Sequence, residues 1–352
     1  MTNTTELPES RPVSPGAEGP SSRANDPHVV DMFEVACIAQ GVDVASFNAF
    51  GSVKLVAPAK VNLYLDIGEQ RADGYHEVTT VMHALLLHDV LRMKTAPAAP
   101  GAGLAVDLAS RSCEGLAPLD VAPSDNIVSK AIRRFAAALG RQQDETIVVS
   151  IEKHIPAEAG LGGGSSDAAA ALVGAALLWG VPTDDALIEE TARSLGADVA
   201  FFLHGGCACL TGVGDVLDHK LTPMNGPVVL IKPEGGVSTA AAYRAFDKNP
   251  SFVSADQRAI ALRATRAQDV PLINNLVPVS EEMLPALADI RTWASSHEDV
   301  DASLMSGSGS AVFAMCKSID AATRVAAQAR SRGWWARSTT FGPSRAASVP
   351  VR

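Results

Sequence analysis

The 352-residue chain is short of positive charge, with 29 Lys and Arg against 39 Asp and Glu and a formal net charge of −10. That deficit excludes the broad basic surface of a general nucleic-acid binder, while leaving room for a local anion site. Cysteine is scarce too. Cys37, Cys113, Cys207, Cys209 and Cys316 are odd in number and thinly spread, the opposite of a disulfide framework, and fit a reducing cytoplasm. Cys207 and Cys209 form a C-x-C pair with no second cluster at ligand spacing, so both read as buried strand positions. Long hydrophobic runs are missing. The longest, residues 168–181, has 14 residues with Gly174 and Gly180 inside it. That is short of the roughly 18 that span a bilayer, so it reads as a buried helix and no membrane partner is expected. No charged start leads into an apolar stretch, and Glu6, Glu9 and Glu18 argue against a transit peptide. Internal repeats are absent.

What is present is enough apolar residue, 47%, to bury a large core over a length that suits two domains. Residues 1–27 are polar and Pro-rich and read as a disordered tail, residues 28–50 are ambiguous, and together 1–50 are expected to be an extension. From Ser52 the pattern turns to strand. Lys60, Asn62, Tyr64 and Asp66 are expected on one face and Val61, Leu63, Leu65 and Ile67 on the other. Further strands are expected over 78–93, 146–151, 228–231, 311–316 and 334–340. Helices are expected over 126–139, with Ser124 and Asp125 near its start, and over 184–195, 237–246, 256–266, 281–295 and 321–332. This order is α+β rather than a regular βαβ alternation.

The strongest local signal is the run Pro156, Ala157, Glu158, Ala159, Gly160, Leu161, Gly162, Gly163, Gly164, Ser165 and Ser166, lying between a strand and the Ala-rich helix. Glycines there let backbone N–H groups approach an anion, and the start of the next helix adds free N–H groups and a positive dipole end. Ser165 and Ser166 can cap that helix or reach a phosphate or Mg²⁺. The run is neither a Walker A motif nor a G-x-G-x-x-G fingerprint. A second segment, Gly307, Ser308 and Gly309, reads equally well as a tight turn or as a second phosphate-facing loop. Lys60 is costly to bury without a counter-charge, and Asp198, a lone carboxylate in an apolar stretch, is the natural partner. Such a pair beside a phosphate loop suggests phosphoryl transfer. A solvent-reaching Lys60 and an Asp198 that caps a short helix account for the same residues.

Together these segments resemble the GHMP kinase superfamily, with its polar N-terminal strand, its Pro-x-x-x-Gly-Leu-Gly-x-x-Ser-Ser loop and its late glycine loop. Ala57-Pro-Ala-Lys-Val-Asn-Leu63 followed by Arg71-Ala-Asp-Gly-Tyr-His76 is similar to the branch that acts on 4-diphosphocytidyl-2-C-methyl-D-erythritol. The similarity continues through Gly212–Leu217, Asn274-Asn-Leu276 and Met305–Gly309. The resemblance implies a two-domain GHMP kinase fold, the first domain like ribosomal protein S5 domain 2 and the second a ferredoxin-like α/β sandwich, with the active site in the cleft between them. The expected spans are 51–225 and 226–342, with a tail over 343–352.

It implies that ATP with Mg²⁺ phosphorylates the 2-hydroxyl of that substrate on the way to isoprenoid precursors. In that reading Asp198 takes the hydroxyl proton and Lys60 keeps Asp198 ionised. Residues 156–166, with Asn126 and Lys153, hold ATP, and Ser166 is the candidate protein ligand for Mg²⁺. Asn62, Tyr75, His76 and Tyr243 form the cytidine pocket, with the two tyrosines stacking on the base and Met82 nearby. Glu158 stands where relatives often carry glycine. The expected protein is cytoplasmic, takes small molecules rather than nucleic acid, and is a monomer or weak homodimer. A GHMP kinase for homoserine or mevalonate, and a nucleotide sensor without catalysis, are the competing readings.

Overall fold

The computed structural model describes residues 52–113 and 115–349. The extension over 1–50 therefore lies outside the described residues. The first lobe runs β1 (Ser52–Gln70), β2 (His76–Pro97), β3 (Leu104–Ser112), α1 (Ile127–Ala138), β4 (Glu145–Lys153), α2 (Gly163–Trp179), α3 (Ala186–Leu195), α4 (Ala197–His204), β5 (Cys207–Thr211) and β6 (Val216–Leu221). The second runs β7 (Gly226–Lys232), α5 (Thr239–Lys248), α6 (Ala255–Arg263), β8 (Ile273–Asn274), α7 (Val277–Met283), α8 (Ala286–Ser296), β9 (Val300–Met305), β10 (Val312–Cys316), α9 (Ile319–Ser331), β11 (Trp335–Phe341) and β12 (Ala347–Ser348).

The strands join in one path, β12-β1-β2-β11-β7-β10-β9, with β4 and β5 also paired to β2. Two sheets meet where β11 touches β2 at the Phe341 and Leu85 pair. Tyr64, Leu85, Leu230, Phe313 and Phe341 from both sheets, with Leu161 from the glycine-rich loop, form one buried cluster at that joint. The Ala-rich helix α2 lies on β1 and β2. Gly174 permits this closeness, because a Cβ there would stand 2.5 Å from Met93 Sδ and 2.9 Å from Leu55 Cδ1. Gly180, in the left-handed region at φ 68°, ends the helix.

Several expectations need correction. β1 does not alternate cleanly, because its pairing with β2 shifts between Asn62 and Tyr64. This bulge changes which face later side chains occupy. Tyr64 consequently packs with Val61 and Leu63, while Leu65 and Ile67 join the core of the second lobe. Residues 281–295 are not one helix: Pro285 starts a new one after Leu284, since proline cannot donate the hydrogen bond a continuing helix needs. Asn126, not Ser124 or Asp125, caps α1, accepting from Val128 N at 2.9 Å. Within the expected C-terminal tail, Ala347 and Ser348 form an edge strand on β1, and Val349 N donates to Lys54 O at 2.9 Å.

Candidate active site

β1 turns into the phosphate loop's territory at Lys60, whose backbone N–H donates to Leu161 O at 3.0 Å. Its side chain is buried, and its ammonium lies 3.4 Å from Asp198 Oδ2 and 2.7 Å from Asn62 Oδ1. Asp198 sits in the first turn of α4, placed there by Gly196, and its side chain keeps 31% exposure. One member of the pair is therefore anchored in protein while the other faces open space. The structure brings together the two residues the sequence reading paired.

The phosphate loop has the backbone its composition demands. Gly160 and Gly162 both have φ of 72°. A Cβ at Gly160 would fall 2.0 Å from Ser306 O, and one at Gly162 would strike Phe202 Cζ at 2.7 Å and Lys60 Cγ at 3.1 Å. Neither serine caps α2; Gly162 is its N-cap, and no side chain fills the role. The first N–H groups of a helix have no partner within it, so this bare start suits an anion. Ser166 instead lies in the first turn, with a buried hydroxyl that has no hydrogen-bond partner. An orphaned buried hydroxyl at the phosphate end of a loop fits a ligand for an ATP-bound cation. Glu158 is held at φ 50°, the left-handed region that glycine enters freely. Its carboxylate is directed at Gly236, where a Cβ would lie 2.7 Å from Oε2.

The late loop between β9 and β10 packs onto the phosphate loop. Ala311 N donates to Ala159 O at 3.0 Å, and Ser306 Oγ donates to Gly160 O at 2.9 Å. Asn274 Nδ2 donates to Met305 O and Gly307 O at 2.9 and 2.7 Å, and Ser280 Oγ to Ser308 O at 2.9 Å. Ser308 Oγ also meets Thr239 Oγ1 at 2.9 Å. Ser306, Asn274 and Thr239 hold the site's floor and were not singled out from sequence as site residues. Only the Asn274-Asn275 and Met305-Ser306 blocks hinted at them.

Lys153 is placed differently from the expectation. Its ammonium bonds Asp89 and lies 2.6 Å from Asp167 Oδ2, with all three side chains buried. Burial works against its charge, but the two carboxylates outweigh burial and hold the ammonium above its ordinary pKa. One cation cannot balance two carboxylates. Burial accordingly pushes Asp167 up to about 8 despite Lys153, with Asp89 adding to the rise. Asp89 meanwhile accepts from His154 N and Ile155 N, which tethers the chain just before Pro156. The charge of Lys153 is thus committed inside the protein rather than spare for ATP. Asn126 likewise spends its side-chain oxygen on the α1 cap.

His76 sits edge-on to Tyr243, with ring centroids 5.5 Å apart. Burial pushes the Tyr243 phenol up to about 12, and the charge of Asp198 adds to the rise. Both His76 nitrogens face oxygens, Nδ1 at 3.0 Å from Gly68 O and Nε2 at 2.9 Å from Asp247 Oδ1. The ring therefore supplies a wall rather than a free hydrogen-bonding edge. Asn62 belongs to the lysine side: beyond Lys60, its Nδ2 donates to Thr80 Oγ1 at 2.9 Å. Tyr75 stands 65% exposed on the turn, apart from the His76 and Tyr243 ring pair. Met82 is buried in the core with Phe201 and Phe202, not in a base pocket.

Residues 126–206 match the family described as GHMP kinases N terminal domain, and residues 256–333 match GHMP kinases C terminal. A 4-diphosphocytidyl-2-C-methyl-D-erythritol kinase from Desulfitobacterium hafniense is 39% identical over 287 residues, 80% of this chain and 93% of that protein. The chain belongs to the GHMP kinase family. It is a small-molecule kinase that uses ATP, and its fold is the α+β GHMP kinase fold. A Nocardia farcinica relative of the same name is 39% identical over 306 residues, covering 83% of this chain and 94% of its own length. A crystal structure of 4-(cytidine 5'-diphospho)-2C-methyl-D-erythritol kinase superposes with a TM-score of 0.64 at 32% identity, covering 82% of this chain and 99% of that one. Among the described residues no helix is long and apolar enough to cross a membrane.

Proposed function

We propose that this kinase phosphorylates the 2-hydroxyl of 4-diphosphocytidyl-2-C-methyl-D-erythritol, producing the 2-phosphate and ADP in the non-mevalonate route to isoprenoid precursors. The observation that carries the reading is the position of Asp198. It pairs with Lys60, whose backbone N–H donates to Leu161 O of the phosphate loop, and its charge reaches Tyr243, which carries the aromatic wall with His76. Relatives carrying that name over most of their length support the choice of substrate.

In this mechanism Asp198 accepts the proton of the substrate hydroxyl as its oxygen bonds to the γ-phosphorus of ATP and the bond to the β-phosphate bridge breaks. Lys60 places its ammonium 3.4 Å from that carboxylate and so positions it. Phosphoryl transfer asks mainly for positioning and charge neutralisation, which the bare start of α2 supplies to the phosphates. Ser166 would hold Mg²⁺, whose charge offsets that developing on the transferred phosphate. Tyr243 and His76 wall the cytosine side, and Tyr75 is free to swing onto the base. The two domains, 51–225 and 226–342, meet at this cleft. We place the enzyme in the cytoplasm as a monomer or weak homodimer, which sedimentation would check.

The test is turnover of that substrate with ATP and Mg²⁺, followed as ADP release and the 2-phosphate product, with CDP added as competitor. Turnover inhibited by CDP supports the reading. Faster turnover of homoserine or mevalonate, insensitive to CDP, would overturn it.

A further inference from the structure

The exit of β3 and the exit of β4 carry a compact group of donors that the kinase mechanism does not use. Cys113 Sγ lies 3.6 Å from His154 Nε2 and 3.9 Å from Glu152 Oε1, and Nε2 lies 3.3 Å from Oε1. All three atoms converge on one point, and both the sulfur and the carboxylate oxygen address the same imidazole nitrogen. A relay would place them on opposite nitrogens. Three donors around a tetrahedral zinc, with bonds of about 2.3 Å to sulfur and about 2.0–2.2 Å to nitrogen and oxygen, stand about 3.3–3.6 Å from one another. The observed triangle needs only its sulfur–oxygen edge to shorten. We propose that Cys113, Glu152 and His154 bind one zinc-class divalent cation, with a fourth position left for water or another donor.

The local backbone holds the triangle in place. Cys113 N donates to Lys153 O at 2.9 Å, and His154 N is tied to Asp89. Arg111 and Arg92 approach Glu152 Oε2 at 3.3 and 3.7 Å, which leaves Oε1 for the cluster. These guanidiniums disfavour a cation held by charge alone, and one carboxylate oxygen is too few for Mg²⁺ or Ca²⁺. A borderline-soft ion that bonds thiolate and imidazole is the class that fits. Ligation uses the neutral imidazole of His154 and the thiolate form of Cys113. Formation of the metal–sulfur bond therefore releases one proton from Cys113 to solvent. A second Cys, Asp and His group, Cys209, Asp218 and His219, makes an internal control. There both His219 nitrogens are engaged, by Asp218 Oδ2 at 2.7 Å and Ala264 O at 2.8 Å.

The experiment strips the full-length protein with a chelator and titrates Co²⁺, then Zn²⁺, in the presence of excess Mg²⁺. One equivalent of Co²⁺ should produce a thiolate-to-metal charge-transfer band, and Zn²⁺ should displace it and raise the melting temperature. Cys113→Ser should abolish the band, and His154→Gln should weaken binding at least about tenfold, while Cys209→Ser behaves as wild type. Should one variant fail to fold, the other still reports. Absence of the band in the wild type, or a band that survives in Cys113→Ser and His154→Gln but vanishes in Cys209→Ser, would overturn the proposal.

Discussion

Two lysines in the first lobe face aspartates, and they differ in what remains open around them. Lys60 and Asp198 stand 3.4 Å apart, with the Asp198 side chain 31% exposed. Lys153 is enclosed with Asp89 and Asp167, each side chain 7% exposed or less. The looser pair, one partner buried and the other facing the cleft, can exchange a proton with an incoming hydroxyl. The saturated trio can only brace. It pins β2, the end of β4 and the second turn of α2 to one another, before and after the phosphate loop. The lesson is that a lysine adjoining a nucleotide motif need not touch the nucleotide: where its charge is spent decides.

That contrast can be broken from the structural side first. Lys153→Met leaves the buried Asp89 and Asp167 carboxyl groups together without their cation and should cost about 3–5 kcal/mol of unfolding free energy, measured in urea. A variant of wild-type stability would mean that the trio is not a brace. Asp167→Asn is expected to cost less than about 1 kcal/mol at low pH, where the Asp167 carboxyl is protonated both folded and unfolded. The sign with pH follows. An Asp167 carboxyl that ionises near 3.8 when unfolded and at about 8 when folded favours the fold fully below 3.8, and that advantage is lost as pH rises towards 8. Asp167→Asn should thus gain on the wild type between those values, and a constant difference would contradict the assignment. Glu158→Gly is the smallest change. Relief at φ 50° is offset by the entropy of glycine, so stability should move by less than about 1 kcal/mol in thermal melts. A several-fold shift in KM for ATP would show that Glu158 faces the phosphates after all.

Much of this was readable in residue order. The glycine run, the strand entering it and the helix leaving it follow from backbone rules that act within a few residues, and the structure has all three. Lys60 and Asp198 could be paired across 138 positions because each was an isolated charge in apolar surroundings. The late glycine loop could not be decided from sequence between a tight turn and a second phosphate-facing loop, since its packing on Gly160 through Ser306 joins residues 146 positions apart. Asp89 gave no sign of its role, because its partners are 64 to 78 residues away. The bulge after Asn62 was invisible for a related reason: it is a mismatch between two strands, not a property of one. Tyr75 and Asn62 were assigned to the base pocket by similarity, and the described geometry gives one to solvent and the other to Lys60.

The central claim is that Asp198 reacts and does not brace. Its most direct test is Asp198→Asn, with kcat and urea unfolding measured on the same preparation. The account predicts a fall in kcat of about 10²–10⁴-fold in a protein that still folds, its stability lowered because Lys60, only 4% exposed, loses its counter-charge. A folded Asp198→Asn that keeps near-full kcat would contradict it.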